Sequence, residues 1–131
     1  MIKGIGCDLV YIPRIQKLLD ENDTSFFKYT FTAYENNEAE NRKDKATYYA
    51  SRFAAKEALF KAIAHLLPTK SFDFRIVETR NEADGHPYIY INEEIRPVLQ
   101  QAGITDLQLS LSDENDYALA FVVASFENHS I

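Results

Sequence analysis

The sequence predicts an α+β domain in which a mainly antiparallel sheet packs against one long helix. Two local observations carry that prediction. Alanine recurs at positions 46, 50, 54, 58 and 62, a four-residue repeat that lets a helix approach its neighbour closely. Near the end of the chain, "LQLSLS" alternates in polarity, and "YALAFVVASF" is almost continuously apolar. With "DEND" between them they read as a hairpin whose second strand is central in the sheet. A third observation is length: 131 residues suffice for one domain with its own core, so a single domain is expected over 1–131.

The elements follow in order. "GIGCDLVYI" at 4–12 predicts a first strand with Ile5, Cys7 and Leu9 on one face and Asp8 and Val10 on the other. Cys7 is expected to be a small buried residue of that strand. Pro13 suits the first turn of a helix, and Ile15, Leu18 and Leu19 form its apolar stripe up to "DENDTS". Residues 26–40 read as short helix and loop, and "NRKDK" at 41–45 is a charged lead-in to the long helix, about 46–66. On that helix Leu59 and Ile63 widen the alanine face. Tyr49, Phe53, Glu57 and Lys61 form the neighbouring stripe, and Arg52 and Lys56 form the next row.

After Pro68 the period changes to two. "SFDFRIVE" predicts a strand with Phe72, Phe74 and Ile76 on one side, and "PYIYI" after "ADGHP" predicts its hairpin partner. "NEEIRPVLQQAG" is expected to be a short helix with Ile95, Val98, Leu99 and Ala102 inward. Pro97 falls in or near its first turn, and Gly103 is its stop.

Composition narrows the function. The net charge is −6, which argues against nonspecific nucleic-acid binding. Residues 1–80 hold thirteen basic and eleven acidic residues; residues 81–131 hold one basic and nine acidic. An acidic or phosphorylated partner would therefore meet the N-terminal part. A single cysteine excludes an intrachain disulfide framework. No apolar run has the length of a membrane span, and residues 1–12 show no secretory pattern, so a cytoplasmic protein is expected. His65, His86 and His129 lack metal-ligand spacing, and "GIG" at 4–6 lacks the spacing of a phosphate-binding glycine loop.

Two carboxylates stand out by position. Asp8 follows two glycines inside an apolar strand, and Glu57 sits among alanines on the long helix. A buried carboxylate needs a cation, hydrogen bonds or water. Two carboxylates with few other protein ligands suit Mg²⁺, which keeps waters and takes substrate phosphate oxygens. Lys61, one turn beyond Glu57, could reach such a phosphate. A generic Glu–Lys pair on a solvated helix face is the plainer alternative.

The blocks "GIGCDLVYIPRI", "FTAYE" at 31–35, "RFAAKEALFKAI" at 52–63, "GHP" at 85–87 and "LSLSDENDYALAFVV" at 109–123 resemble, in order, those of the holo-[acyl-carrier-protein] synthases. These are small stand-alone members of the 4′-phosphopantetheinyl transferase superfamily. The resemblance implies that fold, a place in fatty acid and lipid biosynthesis, and Mg²⁺-dependent transfer of 4′-phosphopantetheine from coenzyme A to a serine of an apo acyl carrier protein, with release of 3′,5′-ADP. It assigns Asp8 and Glu57 as metal ligands and Lys61 as the phosphate-contacting lysine. It implies coenzyme A contacts from Arg52, Lys61, Gly85, Pro87, Ser112 and Asp113, and a carrier-protein contact from Arg14. It also implies a homotrimer with active sites at subunit interfaces.

The chain departs from the family pattern in places. "AHLL" replaces a glycine-containing turn after the helix, His86 stands at an often basic position, and Asp113 stands where a histidine is usual. Lys43 or Lys45 could then hold the phosphates. The alternative reading is a diverged homologue that binds a carrier protein or nucleotide without efficient transfer.

Overall fold

A computed structural model of the chain describes residues 1–128; His129 lies outside the described residues. Strand β1 (Ile2–Tyr11) leads into α1 (Ile12–Asp20), α2 (Thr24–Thr30), α3 (Ala33–Glu40) and the long helix α4 (Lys45–Ile63). The hairpin β2 (Glu78–Asn81) and β3 (Pro87–Tyr90), helix α5 (Arg96–Ala102) and the hairpin β4 (Asp106–Glu114) and β5 (Tyr117–Ser125) follow. The main sheet has the order β1-β5-β4, all antiparallel, and β2 and β3 form a separate ribbon. The apolar β5 is central, as its composition requires. Pairing of β1 with β5 brings the amino terminus to the far end of the chain: Met1 N donates to Phe126 O at 2.8 Å.

Helix α4 lies on one face of this sheet, and the reason is steric. Ala46, Ala50, Ala54, Ala58 and Ala62 are all buried, together with Leu59 and Ile63. Gly4 and Gly6 of β1 face them. A Cβ on Gly4 would come within 1.8 Å of Ala62 O, and one on Gly6 within 1.8 Å of Ala58 O. Helix and strand backbones therefore meet directly, with small residues on both sides.

The helix ends follow their local chemistry. The Asp44 carboxylate accepts from Thr47 N and caps α4, and Thr32 with Glu35 forms a reciprocal capping box on α3. Gly103, at φ 73°, stops α5 as expected, and Pro97 sits in its first turn.

Two expectations are corrected. Residues 71–76 do not form a strand; Phe74–Ile76 is a 3-10 turn, and β2 begins at Glu78. The Asp73 carboxylate accepts from the Arg75 backbone and guanidinium, closing the turn locally. The aromatic alternation still has a purpose, since Phe72 and Phe74 pack with Phe60 and Phe53 of α4. Cys7 is exposed, not buried. It lies on the sheet face opposite α4, with Ile5, Leu9, Tyr117, Leu119 and Phe121, all exposed.

Candidate active site

The small-residue contact decides where the site forms. With Gly4 and Gly6 spent on the helix contact, the next residue of β1 on that face is Asp8, whose side chain is 15% exposed. Helix α4 presents Glu57 and Lys61 there, one turn apart on the stripe bordering its alanine face. Lys61 Nζ donates to Asp8 Oδ1 at 2.9 Å and to Cys7 O at 3.1 Å. Burial first, and the Asp8 charge second, push the Glu57 carboxyl above its ordinary range, while Lys61 pulls it down. The Lys61 ammonium is raised, chiefly by its hydrogen bond to Asp8. Two carboxylates and one lysine thus gather at a partly exposed corner of the helix–sheet junction.

This donor set is all oxygen and carries two negative charges against one positive, which fits a hard divalent cation better than a soft one. Among the described residues no group of three or more His, Cys, Asp and Glu side chains gathers as a metal cage. A cation held here would draw its remaining oxygens from water and from a substrate phosphate.

Arg52 lies five residues before Glu57 on α4 and is buried. Its Nη1 donates to Ser51 Oγ and its Nη2 to Asn81 Oδ1, both at 2.9 Å. Its guanidinium stacks over the Tyr48 ring at 4.5 Å, with Arg42 over the same ring at 4.7 Å. Arg52 Nε is buried without a hydrogen-bond partner among the described residues, a donor group a phosphate oxygen would satisfy. Burial lowers the Arg52 pKa, and the Arg42 charge adds to the shift. Burial also pushes the Tyr48 hydroxyl up to about 12. Asn81 in turn donates to Gly85 O at 2.8 Å, so Arg52 is tied to the Gly85–Pro87 turn of the ribbon. His86 in that turn pairs with Asp84 at 2.6 Å.

Arg14 is exposed on α1. Ser112 and Asp113 stand apart from the cluster around Asp8. Ser112 pairs with Leu119, on the sheet face away from α4. Both line a cleft of about 540 Å³ with Leu9, Tyr117 and Leu119, among the exposed apolar residues of that face.

Sequence reasoning missed one buried pair. Lys56, placed there only in a row beside Arg52, is wholly buried and contacts an equally buried Glu35, Nζ to Oε1 at 2.7 Å. A hint was available: Lys56 directly follows two alanines, Ala54 and Ala55, that the helix buries.

Comparison with known proteins agrees with this architecture. The family model of the 4′-phosphopantetheinyl transferase superfamily matches residues 4–122. A holo-[acyl-carrier-protein] synthase of Ruthia magnifica subsp. Calyptogena magnifica is 37% identical over 128 residues, 98% of this chain and 100% of that protein. The crystal structure of the holo-[acyl-carrier-protein] synthase from Neisseria meningitidis superposes with a TM-score of 0.82 at 36% identity, covering 95% of this chain and 99% of that one. That of the Bacillus anthracis synthase, in complex with coenzyme A (3′,5′-ADP), does so with a TM-score of 0.76 at 31% identity over 97% and 99%. Near-complete coverage in both directions, with the family model matching residues 4–122, places the chain in the holo-[acyl-carrier-protein] synthase family of the 4′-phosphopantetheinyl transferase superfamily.

Proposed function

We propose that the protein transfers 4′-phosphopantetheine from coenzyme A to a serine of an apo acyl carrier protein, releasing 3′,5′-ADP. One observation carries the reading: Asp8, Glu57 and Lys61 converge where β1 meets α4, in a chain that matches, over nearly its whole length, a synthase named for this activity. Asp8 and Glu57 would hold Mg²⁺. That ion, when bound, would offset charge on the pyrophosphate and on the leaving group. Lys61 would exchange its contact with Asp8 for a phosphate oxygen. The buried Nε of Arg52, without a partner among the described residues, supports a second phosphate contact, with Lys43 just before α4 and Lys45 at its first position. Gly85 and Pro87 would border the nucleotide. The serine hydroxyl attacks the β-phosphorus, its oxygen–phosphorus bond forms as the bond to 3′,5′-ADP breaks, and a carboxylate near the metal or a water takes the proton. Arg14 would meet the acidic carrier protein through its charge.

A trimer with shared sites belongs to this reading. Ile5 and Leu9 are 60% and 59% exposed, beside Tyr117, Leu119 and Phe121, an apolar face of the kind that serves protein–protein contact. Ser112 and Asp113 border that same face, so a neighbouring subunit could bring them to another chain's nucleotide. Among the described residues no helix is long and apolar enough to cross a membrane; a cytoplasmic place in fatty acid biosynthesis is part of the proposal.

The test is direct. Incubation with coenzyme A, Mg²⁺ and apo acyl carrier protein should add one phosphopantetheine mass to the carrier. Asp113, an exposed anion, favours a second reading: a diverged homologue that binds nucleotide or carrier without efficient transfer. Nucleotide binding with no mass gain would select it.

A further inference from the structure

Glu35 and Lys56 are fully buried and take no part in the chemistry above. We infer that this ion pair is a positioning device, fixing the β2–β3 ribbon and its Gly85–Pro87 turn against the helix that carries Glu57 and Lys61. The inference rests on the reading of Arg52, Gly85 and Pro87 as coenzyme A contacts.

The bonds form a continuous path. Lys56 Nζ donates to Glu35 Oε1, to Phe74 O at 3.0 Å and to Val77 O, which uses its three protons. Glu35 Oε1 also accepts from Thr32 N at 3.1 Å. Glu35 Oε2 accepts from Thr79 N at 3.0 Å and Thr79 Oγ1 at 2.9 Å. Thr79 is the second residue of β2. Two residues on, Asn81 takes the Arg52 guanidinium and holds Gly85 O. One end of the path is thus the residue beside Glu57, and the other is the nucleotide turn.

Packing alone does not set this geometry. Beyond its hairpin partner, β2 packs chiefly on α3, and β3 packs on β4; Ile89 shares the buried core with α4, and the polar bonds add a directional tie between ribbon and long helix. A buried ion pair is also a poor choice for stability. Apolar residues of similar volume often serve as well or better, because both charges lose their water. Fixed direction is what the pair supplies.

The test uses the whole protein and two variants. The double change Glu35→Gln with Lys56→Met removes both charges of the pair, and Thr79→Val deletes one hydroxyl from the Glu35 carboxylate with little change of shape. The double variant should fold but melt below wild type, because the new amide sets a donor against the Thr32 or Thr79 N–H and Val77 O loses its donor, with the KM for coenzyme A and the Kd for 3′,5′-ADP raised about tenfold and kcat nearly unchanged. Thr79→Val should raise both constants about threefold. Unchanged nucleotide affinity in a folded double variant, or a loss confined to kcat, overturns the inference. Where the double variant does not fold, Thr79→Val decides, and wild-type constants there overturn it. A wild-type protein that binds no 3′,5′-ADP defeats the functional reading instead. Hydrogen exchange then tests the ribbon directly. Faster exchange in β2 and β3 of Thr79→Val than in wild type, with β1 and β5 unchanged, supports the tie, and ribbon exchange equal to wild type refutes it.

Discussion

Replacing Gly6 with alanine is expected to damage fold and chemistry together. The new Cβ would lie 1.8 Å from Ala58 O, 2.8 Å from Ala58 C and 2.9 Å from Ala62 N. These are backbone atoms of a buried helix and cannot rotate away. Ordinary contact begins near 3.4 Å, so α4 must retreat by about 1.6 Å or β1 must leave its register with β5. Overpacking of this kind costs about 3 kcal/mol or more. For a chain of this size that is a fall in Tm of roughly 10 °C. The same retreat carries Glu57 and Lys61 away from Asp8, and misplacement by about 1 Å costs on the order of 100-fold in rate. Calorimetry gives the first quantity, and the transfer assay, run well below the variant's melting transition, gives the second. Gly103→Ala is the control. Its Cβ would meet nothing within 4 Å, and its left-handed backbone costs only about 1–2 kcal/mol, with transfer unchanged. A Gly6→Ala protein with wild-type Tm and rate would refute the helix-on-strand contact from which the site is built.

Other expectations follow from the same geometry. Glu57→Gln should keep the helix, since the two residues have similar propensity, yet lower transfer by about 100-fold or more through loss of a metal ligand; wild-type turnover would mark Glu57 as a solvated residue. Because the folded Glu57 pKa lies above its ordinary 4.5, its protonation favours the fold below that value, and the contribution is lost as pH rises through the raised pKa. In metal-free buffer Glu57→Gln should therefore gain stability on wild type between pH 4.5 and neutrality, and parallel melting curves would contradict this. Arg52→Lys, which removes the planar group stacked on Tyr48 and bonded to Asn81, should weaken 3′,5′-ADP binding with little effect on Tm; calorimetry checks both. Wild type should sediment as a trimer and Leu9→Glu as a single chain; a 15.1 kDa species with full activity for wild type would defeat the shared-site reading.

Much of this was legible in sequence, for identifiable reasons. The alanine repeat of α4, the apolar β5 and the Pro97–Gly103 bounds of α5 follow from local periodicity and backbone preference. Asp8 and Glu57 could be picked out because each is a charge where its element has no use for one. Their meeting followed only from the family resemblance, because no local pattern shows Gly4 and Gly6 seating the strand against Ala58 and Ala62. The glycines were visible, but the identity of their opposing surface was not. Residues 71–76 misled because the alternation of Phe72, Phe74 and Ile76 is real, while Asp73 and Arg75 close a local turn that no period reveals. The burial of Lys56 has no sequence signal for a related reason: its partner Glu35 lies on another helix, and pairing across elements leaves no periodic trace. Cys7 was read from the habit of its residue type, although its strand position puts it on the open face.

The pairing of the first strand with the last has a kinetic consequence. Register partners of β1 and β5 run from Tyr11 with Tyr117 to Ile2 with Ser125, more than a hundred residues apart. During synthesis β1 emerges early, exposing Ile5 and Leu9 on one side and a glycine-lined groove on the other, with no strand to join. Helix α4 can coil as it leaves the ribosome, but its alanine face has no complete sheet to settle on until β5 follows. High contact order of this kind slows folding, because a long loop must close before its contacts stabilise anything. Commitment to the native state therefore waits for β5, and a nascent chain halted before Tyr117 should remain protease-sensitive along its whole length.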